Sequence, residues 1–180
     1  MDDAQHEGFT LVELLITVAI IALLAGVAAP AMARFLDNAR LRAATEDIAR
    51  ELVQARSHAY TFRKPIYFTI SVMGTAWCYG WGEATTGCDC NSHNPQTACQ
   101  TNASGLTRSH HQTSADYPQI RLNLPASQGN SRLLRFSPIR GTATATSFSL
   151  QNRSSQTRVI VSLLGRIRTC SPDAAGYSAC

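Results

Sequence analysis

Apolar residues run almost without interruption from Phe9 to Met32, and the run holds one charge, Glu13. About 20 apolar residues cross a bilayer, so the run predicts a helix of membrane length. A carboxylate near the head of such a helix is costly in lipid and calls for a partner or a purpose. Beyond the run the helical period continues. Leu41, Thr45, Ile48, Leu52, Ala55, Ala59 and Phe62 recur at alternating spacings of four and three, one stripe of an amphipathic helix. Asp37, Arg42, Asp47, Arg50, Glu51 and Gln54 occupy much of the remaining surface. Together the two patterns predict one helix from Phe9 to Phe62, about 80 Å long at 1.5 Å per residue. Pro30 removes a backbone donor and crowds the preceding turn, which predicts a kink or local unwinding there.

Past Pro65 the period becomes that of strands. Ile66 to Val72, Thr75 to Tyr79, Gln119 to Leu124, Arg132 to Phe136, Ser147 to Gln151 and Thr157 to Leu164 are the predicted strands, separated by turn-forming stretches. Short connections without intervening helices favour antiparallel pairing. The expected fold class is α+β, a long N-terminal helix packed on an antiparallel β-sheet. Between Gly80 and Pro118 nothing periodic and apolar appears, so a long irregular loop is expected. Such a loop in a compact domain is functional, mobile or stapled.

Six cysteines supply the staples: Cys78, Cys88, Cys90, Cys99, Cys170 and Cys180. Three disulfides are allowed, and Cys170 with Cys180 is the expected C-terminal pair. The other four are expected to tie the loop to itself, with Cys88 and Cys90 not paired across one residue. Cys88, Cys90, Cys99, His93, His110 and His111 are also zinc-ligand types, but their spacing does not match the paired cysteines of structural zinc sites. No metal is expected, and His110 and His111 read as solvated loop residues. Six cysteines in 180 residues fit an oxidising compartment. That outweighs Arg34, Arg40 and Arg42, which by a positive-inside count would hold the large domain in the cytoplasm.

The formal charge of +4 understates the basicity of residues 9–180, because the first eight residues hold three acids, Asp2, Asp3 and Glu7. The rest of the chain has 16 bases against 9 acids, and from Gly105 onward nine arginines face only Asp116 and Asp173. Only Lys64 is a lysine. Arginine makes bidentate bonds to phosphate where lysine acts as a point charge. A basic surface outside the cytoplasm points to a polyanionic partner. No phosphate-binding glycine loop, Gly-x-Ser-x-Gly elbow or His-Glu-x-x-His helix occurs, so neither catalysis nor a cofactor is expected.

In Gly165-Arg166-Ile167-Arg168, strand alternation would project Arg166 and Arg168 together while Ile167 points inward. Gly165 permits a tight turn that presents the pair. Two forks about 7 Å apart match successive phosphates along a nucleic-acid strand. Arg140, Arg153 and Arg158 are expected to share that surface. The alternative is a solvated edge strand whose charges discourage aggregation.

Gly8-Phe9 followed by Glu13 resembles the processing site of type IV prepilins. That resemblance implies a leader of residues 1–8, cleavage after Gly8 by a prepilin peptidase, methylation of Phe9, and a role for Glu13 in assembly with other pilin subunits. The leader departs from the family in carrying acids and no base. Pro30 within the apolar segment is a further pilin feature. With Gln54-Ala55-Arg56-Ser57-His58-Ala59, Arg63-Lys64-Pro65-Ile66 and Gly165-Arg166-Ile167-Arg168, nearly the whole chain is similar to the GspH/FimT family of minor pilins and pseudopilins. His58 stands where an acid is common. The resemblance implies a type IV pilin-like fold, with residues 9–32 as the transmembrane and assembly segment and 33–180 as a periplasmic domain. It further implies an inner-membrane precursor and an extracellular pilus. The Gly-Arg-x-Arg motif is similar to that of FimT-type minor pilins, in which it is associated with DNA binding during natural transformation. A minor pilin that primes or caps the pilus without binding DNA, and a type II secretion pseudopilin, are the competing readings.

Overall fold

The computed structural model describes residues 10–92, 94–103 and 106–180. Gly8, Phe9 and His93 therefore lie outside the described residues. One helix, α1 (Leu11–Phe62), opens the chain. Thr10 caps it: the Glu13 amide donates to Thr10 Oγ1 at 3.3 Å, so a first-turn amide finds a side-chain acceptor. The chain divides into two compact units, Met1–Leu36 and Asp37–Cys180.

In the first unit the helix is long and apolar enough to cross a membrane. Leu14, Leu15, Val18, Ile21, Leu24 and Val27 are each more than half exposed, so this unit lacks a core of its own. The helix runs unbroken through Pro30, and the unwinding expected from the sequence does not occur. The amide that proline lacks removes one ladder bond, and the flanking alanines keep the rest.

In the second unit Leu41, Ala44, Thr45, Ile48, Leu52, Ala55 and Ala59 are buried. Phe62, the last residue of the expected stripe, is 43% exposed, because the helix ends there and the chain turns away at Arg63, whose φ is 53°. Among the described residues ten strands follow: β1 (Ile66–Met73), β2 (Ala76–Gly82), β3 (Gln100–Ala103), β4 (Leu106–Ser109), β5 (His111–Thr113), β6 (Arg121–Asn123), β7 (Ser131–Phe136), β8 (Thr146–Gln151), β9 (Gln156–Val161) and β10 (Ile167–Cys170). They form two four-stranded sheets, ordered β5-β2-β1-β7 and β10-β9-β8-β6, and the separate β3-β4 hairpin. All the named pairings are antiparallel. The fold is thus α+β with a long N-terminal helix, and its sheet is split in two.

One core joins the helix stripe to both sheets. Ile66, Phe68, Ile70, Trp77, Tyr79, Trp81, Leu134 and Phe136 come from the first sheet, and Leu122, Phe148, Leu150, Val159 and Val161 from the second. Polar groups along the helix find partners across this core. Trp81 Nε1 donates to Glu51 Oε2 at 2.7 Å and the Tyr117 hydroxyl donates to Asp47. On the other side Thr45 Oγ1 and Thr157 Oγ1 lie 2.7 Å apart, both buried. A buried hydroxyl without such a partner costs about 1–3 kcal/mol.

The stretch after Gly80 is not wholly irregular. It contains β3, β4 and β5, short, mostly polar strands whose residues do not alternate in hydropathy. The final expected strand ends early, at Val161, because residues 162–165 form a turn. The disulfides are Cys78–Cys90, Cys88–Cys99 and Cys170–Cys180. Every cysteine is thereby oxidised, and no thiolate is left to ligate a metal.

Candidate nucleic-acid interface

The turn before β10 positions the arginine pair. Gly165 has φ 71°, a region that disfavours side chains. A Cβ there would run into the Gly141 carbonyl oxygen and lie 2.9 Å from Arg56 Nε. The glycine therefore does two things: it turns the chain and lets the turn sit against α1 and the β7–β8 connection. The Gly165 amide donates to Ser162 O at 2.8 Å, and the Arg166 amide donates to Ser162 Oγ at 3.1 Å. Ser162 N in turn donates to Arg166 O at 3.0 Å, extending the β9–β10 ladder across the turn.

Arg166 and Arg168 are exposed while Ile167 between them packs against the core. In the β9–β10 register Ile167 faces Val161 and Arg168 faces Ile160. Val161 belongs to the core, so Arg168 and, by alternation, Arg166 stand on the outer face of the second sheet. Arg158, opposite Cys170 on one side and Ser149 on the other, is on that outer face too. Arg140 precedes Gly141 and so lies at the Gly165 end, and Arg153 is in the β8–β9 turn. Among the described residues none of these five arginines is in an ion pair.

The same registers reveal an arginine that the sequence alone does not single out. Arg121 faces Gln151, which faces Gln156, so it shares the outer face with Arg158. It lies 45 positions before Arg166, and only the pairing of β6 with β8 brings it to this sheet.

His110 is not solvated. It is 8% exposed, stacked on Trp81 at 3.6 Å between ring centroids, with Nε2 3.0 Å from Thr101 Oγ1. Burial, with smaller contributions from Arg108 and His58, pushes its pKa down to about 4. His111 is exposed, with Nδ1 2.8 Å from Ser109 Oγ. Glu13 sits at the third residue of α1, the position that a Thr-x-x-Glu capping box gives its acid.

A long helix with an unburied apolar head, continued by a domain of antiparallel sheets, defines a subunit of the minor pilin and pseudopilin class. The chain belongs to the GspH family, whose model, described as type II transport protein GspH, matches residues 44–165. The prokaryotic N-terminal methylation motif matches residues 4–29. Among solved structures, the type IV minor pilin FimU of Pseudomonas aeruginosa is 16% identical, covering 78% of this chain and 98% of that one with a TM-score of 0.45. The minor pseudopilin EpsH from the type 2 secretion system of Vibrio cholerae is 15% identical, covering 74% and 98% with a TM-score of 0.45. No curated protein matches the chain significantly.

Proposed function

We propose that this chain is a minor type IV pilin that binds DNA through its backbone phosphates for uptake in natural transformation. In this reading a prepilin peptidase cleaves after Gly8 and Phe9 becomes the methylated terminus. Residues 9–32 hold the precursor in the inner membrane, and residues 33–180 stand in the periplasm. Glu13 then serves entry into a pilus among major and minor pilin subunits. Three disulfides support an oxidising compartment.

The observation that carries the DNA reading is the placement of Arg158. Charges on β10 alone would fit an edge strand guarding itself, since β10 ends its sheet. Arg158 is exposed on β9, an interior strand, on the same face as Arg168, where edge protection gives no reason for a cation. Arginines on an open sheet face contact phosphates without entering a groove, so binding is independent of base sequence. The family description favours a second reading, a pseudopilin of type II secretion whose domain contacts other pseudopilins and exported proteins.

Two measurements test the proposal. Gly8→Val should leave a larger unprocessed form on a gel, and normal maturation would remove the prepilin assignment. Labelled duplex DNA titrated with the full chain in detergent should bind at low salt, with log K falling by about 0.9 per phosphate neutralised per log unit of salt. Arg166→Gln with Arg168→Gln should weaken binding and flatten that slope while melting is unchanged. No binding by the unmodified chain at low salt would make a structural minor pilin that binds no DNA the better reading, with the secretion pseudopilin as its competitor.

A further inference from the structure

The second sheet carries more than a pair of arginines. Arg168 is opposite Ile160, two residues along β9 from Arg158. One strand across and two residues along is about 8 Å. Arg121, by its pairing with Gln151 and through it Gln156, lies two strands beyond β9 and two residues further in the same direction. That second step is about 12 Å. Arg166 lies two residues from Arg168 on the opposite side, about 7 Å away. The four arginines therefore fall on one diagonal of about 25 Å across the sheet.

The far end of this diagonal is a shaped site. A cleft of about 580 Å³ is lined by Arg121 and Arg153 together with Gln119, Gln151, Asn152 and Ser114. Among the described residues no carboxylate lines it. Asn152 holds the turn that carries Arg153: its Oδ1 accepts the Ser154 and Ser155 amides at 2.8 and 2.7 Å. Its Nδ2 donates to Asn38 Oδ1 on α1 at 3.0 Å. Gln119 holds φ 70°, a conformation uncommon for a residue with a side chain. Tyr117 also lines the cleft and donates to Asp47, an acid already paired with Arg50 at 2.6 Å, while Asp173 accepts from the Gln156 amide and lies 3.2 Å from Ser171 Oγ. Two guanidinium groups among neutral amides and hydroxyls, with no internal anion, complement a phosphodiester.

We propose that Arg121 and Arg153 form a second phosphodiester-binding cleft, and that one DNA duplex spans from the Gly165 turn to this cleft, lying obliquely across the second sheet. This rests on the DNA reading above and adds the path of the DNA. A track of about 25 Å corresponds to about seven base pairs at 3.4 Å each.

The test compares two variants of the full chain in detergent, Arg121→Gln with Arg153→Gln and Arg166→Gln with Arg168→Gln, by titration of labelled duplex at two salt concentrations. Thermal melts check that both fold like the parent. The cleft variant should lose about tenfold in affinity at low salt, and its salt slope should fall by about 1.8, as two lost phosphate contacts require. Unchanged affinity and slope in the cleft variant, with a loss in the Arg166 and Arg168 variant, would overturn the cleft and leave the DNA reading standing. Absence of duplex binding by the parent, with heparin bound through the same arginines, would overturn both.

Discussion

The two sheets share a core and differ in what lies behind them. Behind the first, the chain after β2 folds back as a cover: Cys88 N donates to Thr69 Oγ1 at 3.1 Å, and Cys78 on β2 is bonded to Cys90. Gly80, also on that outer face, lies under Cys99, and a Cβ there would be 2.5 Å from Cys99 Sγ. Accordingly Trp77 to Gly82 are buried on both faces. Behind the second sheet the cover is confined to one corner, where Cys170, opposite Arg158, is buried and bonded to Cys180; its other outer positions include Ser147, Ser149, Gln151, Gln156, Arg158 and Arg168. The cysteine-rich loop thus acts as packing, and the more open face carries Arg121, Arg158, Arg166 and Arg168.

That division of labour predicts effects of different size. The largest follows from opening the cover. Cys88→Ala with Cys99→Ala releases the closed loop, so denaturant unfolding should show a loss of about 3 kcal/mol, while duplex binding at low salt stays at the parental level. A matching loss of DNA affinity in a folded variant would break the comparison by making the loop part of the interface. Next is Gly80→Ala, which puts a methyl group into Cys99 and the His110 carbonyl. Overpacking of this kind costs about 1–3 kcal/mol, read from the same unfolding curves. A neutral result would show that the cover is loosely seated.

The smallest effect is a pH dependence confined to the covered side. His110 takes its proton only at about 4 when folded, against 6.5 in a free histidine, because burial disfavours the charged ring. Between these values the unfolded chain binds the extra proton. This contribution to stability is full above about 6.5 and is lost as pH falls towards 4. The pKa of His58 is lowered as well, by burial first, and adds in the same sense. Melting temperature should therefore fall between pH 7 and pH 4.5, and His110→Phe should remove much of the difference. An unchanged difference would place the titrating group elsewhere.

The sequence showed some of this more clearly than the rest, for physical reasons. The stripe from Leu41 to Ala59 is legible because a helix repeats its core contacts every three or four residues. β1 and β8 are legible because one face is buried and the other is not. β3 and β4 carry one apolar residue each, Ala103 and Leu106, in otherwise polar segments, and a hairpin outside the main core imposes no alternation. His110 was obscured by the same polarity, since its burial comes from Trp81, nearly thirty residues away. At the interface, Gly165, Arg166 and Arg168 are visible because they are adjacent. Arg121 is not, because its place beside Arg158 depends on strand pairings between distant segments.

Arginine footprinting of the full chain in detergent tests the central claim most directly. The chain is modified with an arginine-selective dicarbonyl reagent with and without a saturating short duplex at low salt, and each site is read by mass spectrometry. Arg121, Arg158, Arg166 and Arg168, on the open face of the second sheet, should be protected by DNA. Arg108 on β4 and Arg135 on β7, both exposed away from that face, should react equally in both conditions. Protection of Arg108 or Arg135 without protection of Arg158 and Arg168 would contradict the account.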